Sequence, residues 1–335
     1  MHPASTRIAG LGIYLPETTR SAAQTERDLR AANPRLKIAT GLIHRLTGVD
    51  TVHLRADGWQ ASDLAVEAAR IALQESPGDP DLLIFASASQ DLIEPATSHI
   101  VAAKLGLTCP VMDISNACNS VINAMQVGEA LIATGQYRRV LIASGEQPSH
   151  GVRWQLRDQE QFIRSFPGYT MSDGGAAVVL EATDDPATGI LDSSFVAVSR
   201  HWEIGTLPAG GTMNPRSVDH TYFDMDGQGL QQAFLELGPA PVLDLLERNG
   251  LGWDDFDLVA IHQVALPYLP PIFERLGVAP DKSVITIADH GNLASVTLPL
   301  QLSIARETGL VGPGSLVLLI GLAGGISLGL MVVRL

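Results

Sequence analysis

The chain has 335 residues, 46% hydrophobic and 17% charged, with a formal net charge of −14. That length exceeds the usual single core and calls for two packed halves, while the apolar content excludes a disordered chain. The acidity excludes a protein that coats nucleic acid, because such affinity comes from neutralising phosphates with Lys and Arg. Two cysteines, Cys109 and Cys118, make no disulfide framework, and no signal peptide opens the chain, so a reducing cytoplasm is expected.

In chain order, residue periodicity predicts a helix over 62–75, a strand over 82–86, a helix over 96–106, a strand over 111–114 and a helix over 118–134. Strands follow over 140–143 and 178–180. The second half reads as a helix over 230–249, a strand over 258–261, a helix over 267–276, a strand over 284–287, a helix over 293–308 and a strand over 316–320. Such alternation is the mark of an α/β fold with a mostly parallel sheet in each half. Residues 314–333 carry no charge and are long enough to cross a bilayer. Ala323-Gly324-Gly325 breaks that run at its centre, so a buried strand-turn-strand is expected and no membrane span.

The two halves resemble each other. Asp81-Leu82-Leu83-Ile84 recurs as Asp257-Leu258-Val259-Ala260, Asp113 as Asp289, and the run ending at Gly145 as the run ending at Gly321. Each pair lies 176 positions apart, from 81 to 257, 113 to 289 and 145 to 321. One register shared by three matches implies internal duplication. It places Asn292 on Asn116, and Ala294 on Cys118.

Cys118 lies where an apolar strand turns into a helical pattern. Unpaired N–H groups and the positive end of the helix dipole at such an entrance favour a thiolate, although a small buried thiol is the plain alternative. His262 ends the predicted strand 258–261, and Asn292 precedes the helix over 293–308. Strand ends facing a crevice are where open α/β sheets bind ligands. Singly, His262 reads as a core histidine and Asn292 as a helix N-cap. Together with Cys118 they form a coherent nucleophile site.

Several motifs in order resemble the β-ketoacyl-ACP synthase III branch of the thiolase superfamily over nearly the whole chain. They are Leu46-Thr47-Gly48-Val49, Ala61-Ser62-Asp63-Leu64-Ala65, Asp113-Ile114-Ser115-Asn116-Ala117-Cys118, Ser172-Asp173-Gly174-Gly175, Ile261-His262-Gln263, Gly291-Asn292 and Gly321-Leu322-Ala323-Gly324-Gly325. The resemblance implies a thiolase-like five-layered αβαβα fold of two halves, 1–183 with the nucleophile and 184–335 with His262 and Asn292. It implies a homodimer with no bound cofactor or metal, acting on acyl-CoA or acyl-ACP thioesters carried on phosphopantetheine. Cys118 would take the acyl group, and malonyl-ACP would be decarboxylated to the enolate that attacks it. His262 and Asn292 would hold the malonyl thioester oxygen, and the N–H groups of Cys118 and Gly324 would form the oxyanion hole. The pathway would be fatty-acid-like or polyketide and specialised metabolism.

This chain departs from the family where Cys118-Asn119-Ser120-Val121 replaces Cys-Ser-Gly-Phe, where Leu328 replaces a Trp, and where His262-Gln263-Val264-Ala265 replaces His-Gln-Ala-Asn. An altered acyl pocket is expected. Ile93-Glu94-Pro95 falls where decarboxylating relatives have Phe-Pro. In relatives that join two acyl thioesters head to head, a glutamate there resembles the base that removes an α-proton; an exposed or interface Glu is the plain alternative. Arg153 and Arg157, spaced i,i+4 in a polar and apparently helical stretch with Arg164, are candidates for docking an acidic carrier, as are Arg138 and Arg139. Two further functions stay open. Cys118 could pass its acyl group to a hydroxyl or amine, or the chain could be a noncatalytic partner that only holds acyl chains.

Overall fold

The computed structural model describes residues 5–335. In the first half, strands β1 (Ser5–Tyr14), β2 (Leu82–Ala86), β3 (Val111–Ile114), β4 (Arg139–Glu146) and β5 (Gly174–Thr183) form one sheet in the order β1-β5-β4-β2-β3. In the second half, β6 (Gly189–Ala197), β7 (Leu258–Ile261), β8 (Leu316–Ala323) and β9 (Ser327–Arg334) form a sheet in the order β6-β9-β8-β7. The strand directions repeat as well. β2, β3 and β4 run parallel, as do β7 and β8, whereas β5 and β9 run antiparallel to their neighbours.

Among the helices are α1 (Ala61–Glu75), α2 (Thr97–Leu105), α3 (Ser120–Ala133), α4 (Gln159–Ser165), α5 (Gly227–Leu237), α6 (Ala240–Asn249), α7 (Leu269–Leu276) and α8 (Thr297–Glu307). Strand alternation assigns each apolar side chain to a layer. Leu82 and Ile84 of β2 join Val121 and Ile122 of α3, Leu298 and Leu302 of α8, and Leu258 and Val317 of the other sheet in one central core. Leu83 and Phe85 face α1. Val259, Ile261 and Leu318 face α6 and α7 on the far side. The layers are therefore helix, sheet, helix, sheet, helix. The Ala-rich face of α1 approaches its sheet so closely that a Cβ on Gly145 or Gly175 would stand 1.8 Å from Ala61 O or 2.2 Å from Leu64 O.

Residues 316–334 form the expected strand-turn-strand, and no described helix is long and apolar enough to cross a membrane. Three expectations are corrected. The helix over 230–249 is two helices, because Gly238 takes φ 62° and Pro239 follows it. Residues 284–286 form no strand, and a short helical turn, Ile287–His290, follows them. Here the Gln263 side chain does the work of a ladder: its Nε2 donates to Val284 O, and its Oε1 accepts from Thr286 N and Ile287 N. Finally, the repeat is not a constant 176. Leu82 pairs with Val140 but Leu258 pairs with Val317, so one extra residue has entered the second half. Ala117 and Ala294, with left-handed φ of 45° and 49°, mark the equivalent turns. Cys118 therefore corresponds to Ser295.

Candidate active site

The parallel strands of both sheets deliver their C-terminal ends to one region. β3 leads through Asn116 and Ala117 to Cys118, two residues before α3 begins. The turn is fixed by Asn119 N donating to Asn116 O at 2.9 Å, Ser120 N to Ala117 O at 3.1 Å, and Ser120 Oγ to Ala117 O at 2.7 Å. Ala117 pays the steric cost of a left-handed backbone, which turns the chain sharply so that the next residue stands at the helix entrance.

The thiol does not gain the acidity that this entrance suggests. Burial pushes the Cys118 thiol up to about 12, and the neighbouring Glu146 carboxyl pushes the same way; the residue's own N–H opposes both more weakly. Desolvation outweighs the dipole because the helix starts two residues beyond the half-buried Cys118. A neutral thiol results.

His262 follows β7 and is held by its N–H donating to Ile320 O at 2.8 Å. Its side chain is buried, 3% exposed, and neither ring nitrogen has a hydrogen-bond partner among the described residues. Burial pulls its pKa down to about 4, so the imidazole is neutral near pH 7. Asn292, also buried, is pinned through its backbone: its N–H donates to Thr170 O at 2.8 Å, and its carbonyl accepts from Ser172 N at 3.0 Å. Its Oδ1 accepts from Ala294 N at 3.0 Å, which leaves Nδ2 free among the described residues. Asn292 is thus no cap of α8, which starts five residues later.

Contacts link several of the segments that carry these groups. Gly324, in the β8–β9 turn, sits against Ala117, where an added Cβ would be 3.9 Å from the Ala117 Cβ. The N–H groups of Cys118 and Gly324 donate to no other residue's carbonyl among the described residues. Asn119 Nδ2 donates to Ser327 O and Ser327 Oγ, tying the nucleophile turn to β9. Glu146, at the end of β4, accepts from Ser295 Oγ at 2.6 Å, and Ser295 lies three residues beyond Asn292. Gly324 thus sits at the Cys118 turn, Ser295 ties the turn that carries Asn292 to the end of β4, and His262 follows β7 of the second sheet.

Other candidates lie apart. Glu94 is exposed in the loop after β2, beside Ile93 at 77% exposure, and makes no hydrogen bond or ion pair among the described residues. Arg153 and Arg157 do not share a helix face, because α4 begins only at Gln159, where Asp158 caps it by accepting from Gln161 N. Arg153 instead stacks over Tyr222 at 4.2 Å and donates to Asp219 O. Arg164 pairs with Asp224. Arg138 and Arg139 lie at the opposite end of β4 from Glu146, roughly 20 Å away at strand rise, and Arg139 is engaged by Glu181 and Ser76. Sequence reasoning missed Glu146 and Ser295. A glutamate directly ending an apolar strand was the available signal.

Residues 112–199 match the family described as 3-oxoacyl-[acyl-carrier-protein (ACP)] synthase III, and residues 246–335 match its C-terminal counterpart. The chain is 33% identical over 337 residues to the beta-ketoacyl-[acyl-carrier-protein] synthase III of Rhodospirillum rubrum, and 30% over 335 residues to that of Dinoroseobacter shibae, covering 98% of each chain in both cases. Among solved structures, the 3-oxoacyl-(acyl carrier protein) synthase III of Pseudomonas aeruginosa superposes with a TM-score of 0.84 at 27% identity, covering 98% of both chains. OleA of Xanthomonas campestris superposes with a TM-score of 0.89 over 99% of this chain and 98% of its own; at 24% identity that likeness speaks to fold alone.

Proposed function

This chain belongs to the 3-oxoacyl-[acyl-carrier-protein] synthase III family, and from that membership we propose that Cys118 carries the acyl group in a condensation of acyl-CoA or acyl-ACP with malonyl-ACP. The enzyme is an acyltransferase of the condensing type. In the first step the Cys118 sulfur attacks the donor thioester carbonyl, its proton passes to the neutral His262 ring, and the departing thiol takes that proton back as the donor C–S bond breaks. The free N–H groups of Cys118 and Gly324 would hold the oxyanion. In the second step malonyl-ACP loses CO2, and the electron pair left on carbon attacks the acyl carbonyl, releasing the Cys118 sulfur. His262 and Asn292 Nδ2 would donate to the thioester oxygen while it carries enolate charge.

His262 carries this reading. Two buried ring nitrogens without partners cost stability that a merely structural histidine would recover through hydrogen bonds. The same reading gives the half 1–183 the nucleophile and the half 184–335 the two donors, with no bound cofactor or metal. A homodimer is supported by the open edge of β3 and by exposed Leu92 and Ile93. Arg157, which is exposed, remains available to an acidic carrier protein, and a reducing cytoplasm suits the free thiol.

A second reading rests on Glu94. In a homodimer this exposed carboxylate on an apolar loop would face the partner's site and could remove an α-proton from a second acyl thioester, with no CO2 released.

Incubation with octanoyl-CoA followed by intact-mass measurement tests the first step. An octanoyl adduct is expected and should vanish in Cys118→Ala; an adduct that survives this substitution refutes the mechanism. Adding malonyl-ACP, a second acyl-CoA or an alcohol in turn identifies the acceptor. Unchanged condensation in Glu94→Gln removes the second reading.

A further inference from the structure

Glu146 ends β4 against the turn that carries Asn292, yet none of the steps above uses it. It is 1% exposed. Its Oε1 accepts from Ser295 Oγ at 2.6 Å and Ala88 N at 3.1 Å, and its Oε2 accepts from Ser89 Oγ at 3.2 Å. No cation pairs with it among the described residues. A buried carboxylate lacking a cation is costly, and burial raises its pKa even though the hydroxyl and N–H donors around it pull the other way. The elements packed around it bring the hydroxyls of Ser87, Ser89, Ser144 and Ser295, and two titratable groups. One is Cys118. The other is Asp173, next to the β5 residue that pairs with Glu146, and its carboxyl is turned to Arg55 N and Ser149.

Glu146 therefore binds the second of the two equivalent junctions directly. It anchors Ser295, in the turn that carries Asn292, and its charge bears on the thiol of Cys118, the counterpart of Ser295. We propose that Glu146 is a positioning residue whose working form is uncharged: neutral, it holds the Asn292 turn against the Cys118 junction, and ionised, it opposes the thiolate. It exchanges no proton with substrate. The positioning role rests on the acyl-enzyme reading, whereas the uncharged form of Glu146 does not.

The test compares Glu146→Gln, Glu146→Ala, Glu146→Asp and Ser295→Ala. Iodoacetamide alkylation of Cys118 against pH reads the thiolate without any acyl donor. In Glu146→Gln the alkylation profile should stay in place near pH 8.5, because exchanging an already uncharged carboxyl for an amide removes no charge from beside the thiol. In condensation, Glu146→Ala and Ser295→Ala should lower kcat roughly tenfold with KM little changed, as expected when a donor is misplaced in the transition state. Glu146→Gln should restore most of that loss, and Glu146→Asp, which keeps the charge but shortens the reach, should not. An alkylation profile that moves to lower pH in Glu146→Gln reveals a charged carboxylate and overturns the uncharged working form. Rescue by Asp and not by Gln overturns the uncharged working form. Absence of any octanoyl adduct in the wild type, with the alkylation profile unchanged in Glu146→Gln, refutes the acyl-enzyme reading and the positioning role together and leaves the uncharged carboxyl standing.

Discussion

At the scale of single residues, the site is built from polar groups left without partners. Removing the Asn292 amide should lower condensation kcat by about 10²–10³, the usual loss for a donor aimed at developing negative charge. Steady-state kinetics of Asn292→Ala check this, and Cys118 acylation in the same variant should persist, since in the proposed mechanism Asn292 acts on the second thioester. His262 gives a pH prediction with a definite sign. Its pKa is about 4 folded and 6.5 in the reference state, so between these values the unfolded chain binds the extra proton. Its contribution to stability is full above about pH 6.5 and falls as pH drops towards 4, by on the order of 3 kcal/mol. Urea denaturation of wild type and His262→Gln at both ends of that window should show this loss in the wild type only. Cys118, His262 and Asn292 were legible in the sequence because each follows or precedes an apolar run at a strand-to-helix junction. The thiol's acidity was not legible, because position along the chain shows the dipole and hides the burial. Glu146 was missed for a related reason: its meaning comes from Ser295, 149 residues away.

At the scale of elements, periodicity recovered strands buried on both faces and erred where side chains replace backbone pairing. The apolar segment 284–287 looks like a strand, yet its backbone partners come from one carboxamide, that of Gln263. Gln263→Ala should orphan Val284 O, Thr286 N and Ile287 N and cost about 3 kcal/mol, at roughly 1 kcal/mol for each lost bond. Chemical denaturation measures that cost, and a change within 0.5 kcal/mol, the scale of ordinary surface substitutions, would show that water serves these groups equally well. The division of the 230–249 region was written in Gly238-Pro239, a pair that ends one helix and opens the next. The slip from 176 to 177 was not visible in identities alone. Only strand register and the two left-handed alanines reveal it.

At the scale of the whole molecule, the five layers follow from duplication, because each half has one sheet face that only the other half can cover. The order of the sheets leaves β3 as an edge with unpaired backbone groups, beside Leu92 and Ile93 at 51% and 77% exposure. Sedimentation should therefore give about twice the 35.6 kDa of one chain, and Leu92→Asp combined with Ile93→Asp should shift it towards the single-chain mass. That bare edge also bears on how the enzyme survives heating and dilution. An unpaired strand is a template for any passing chain, so a solitary molecule is exposed to misassembly that a correctly mated one escapes. Melting temperature should rise with protein concentration, and dilution alone should shorten the enzyme's working life.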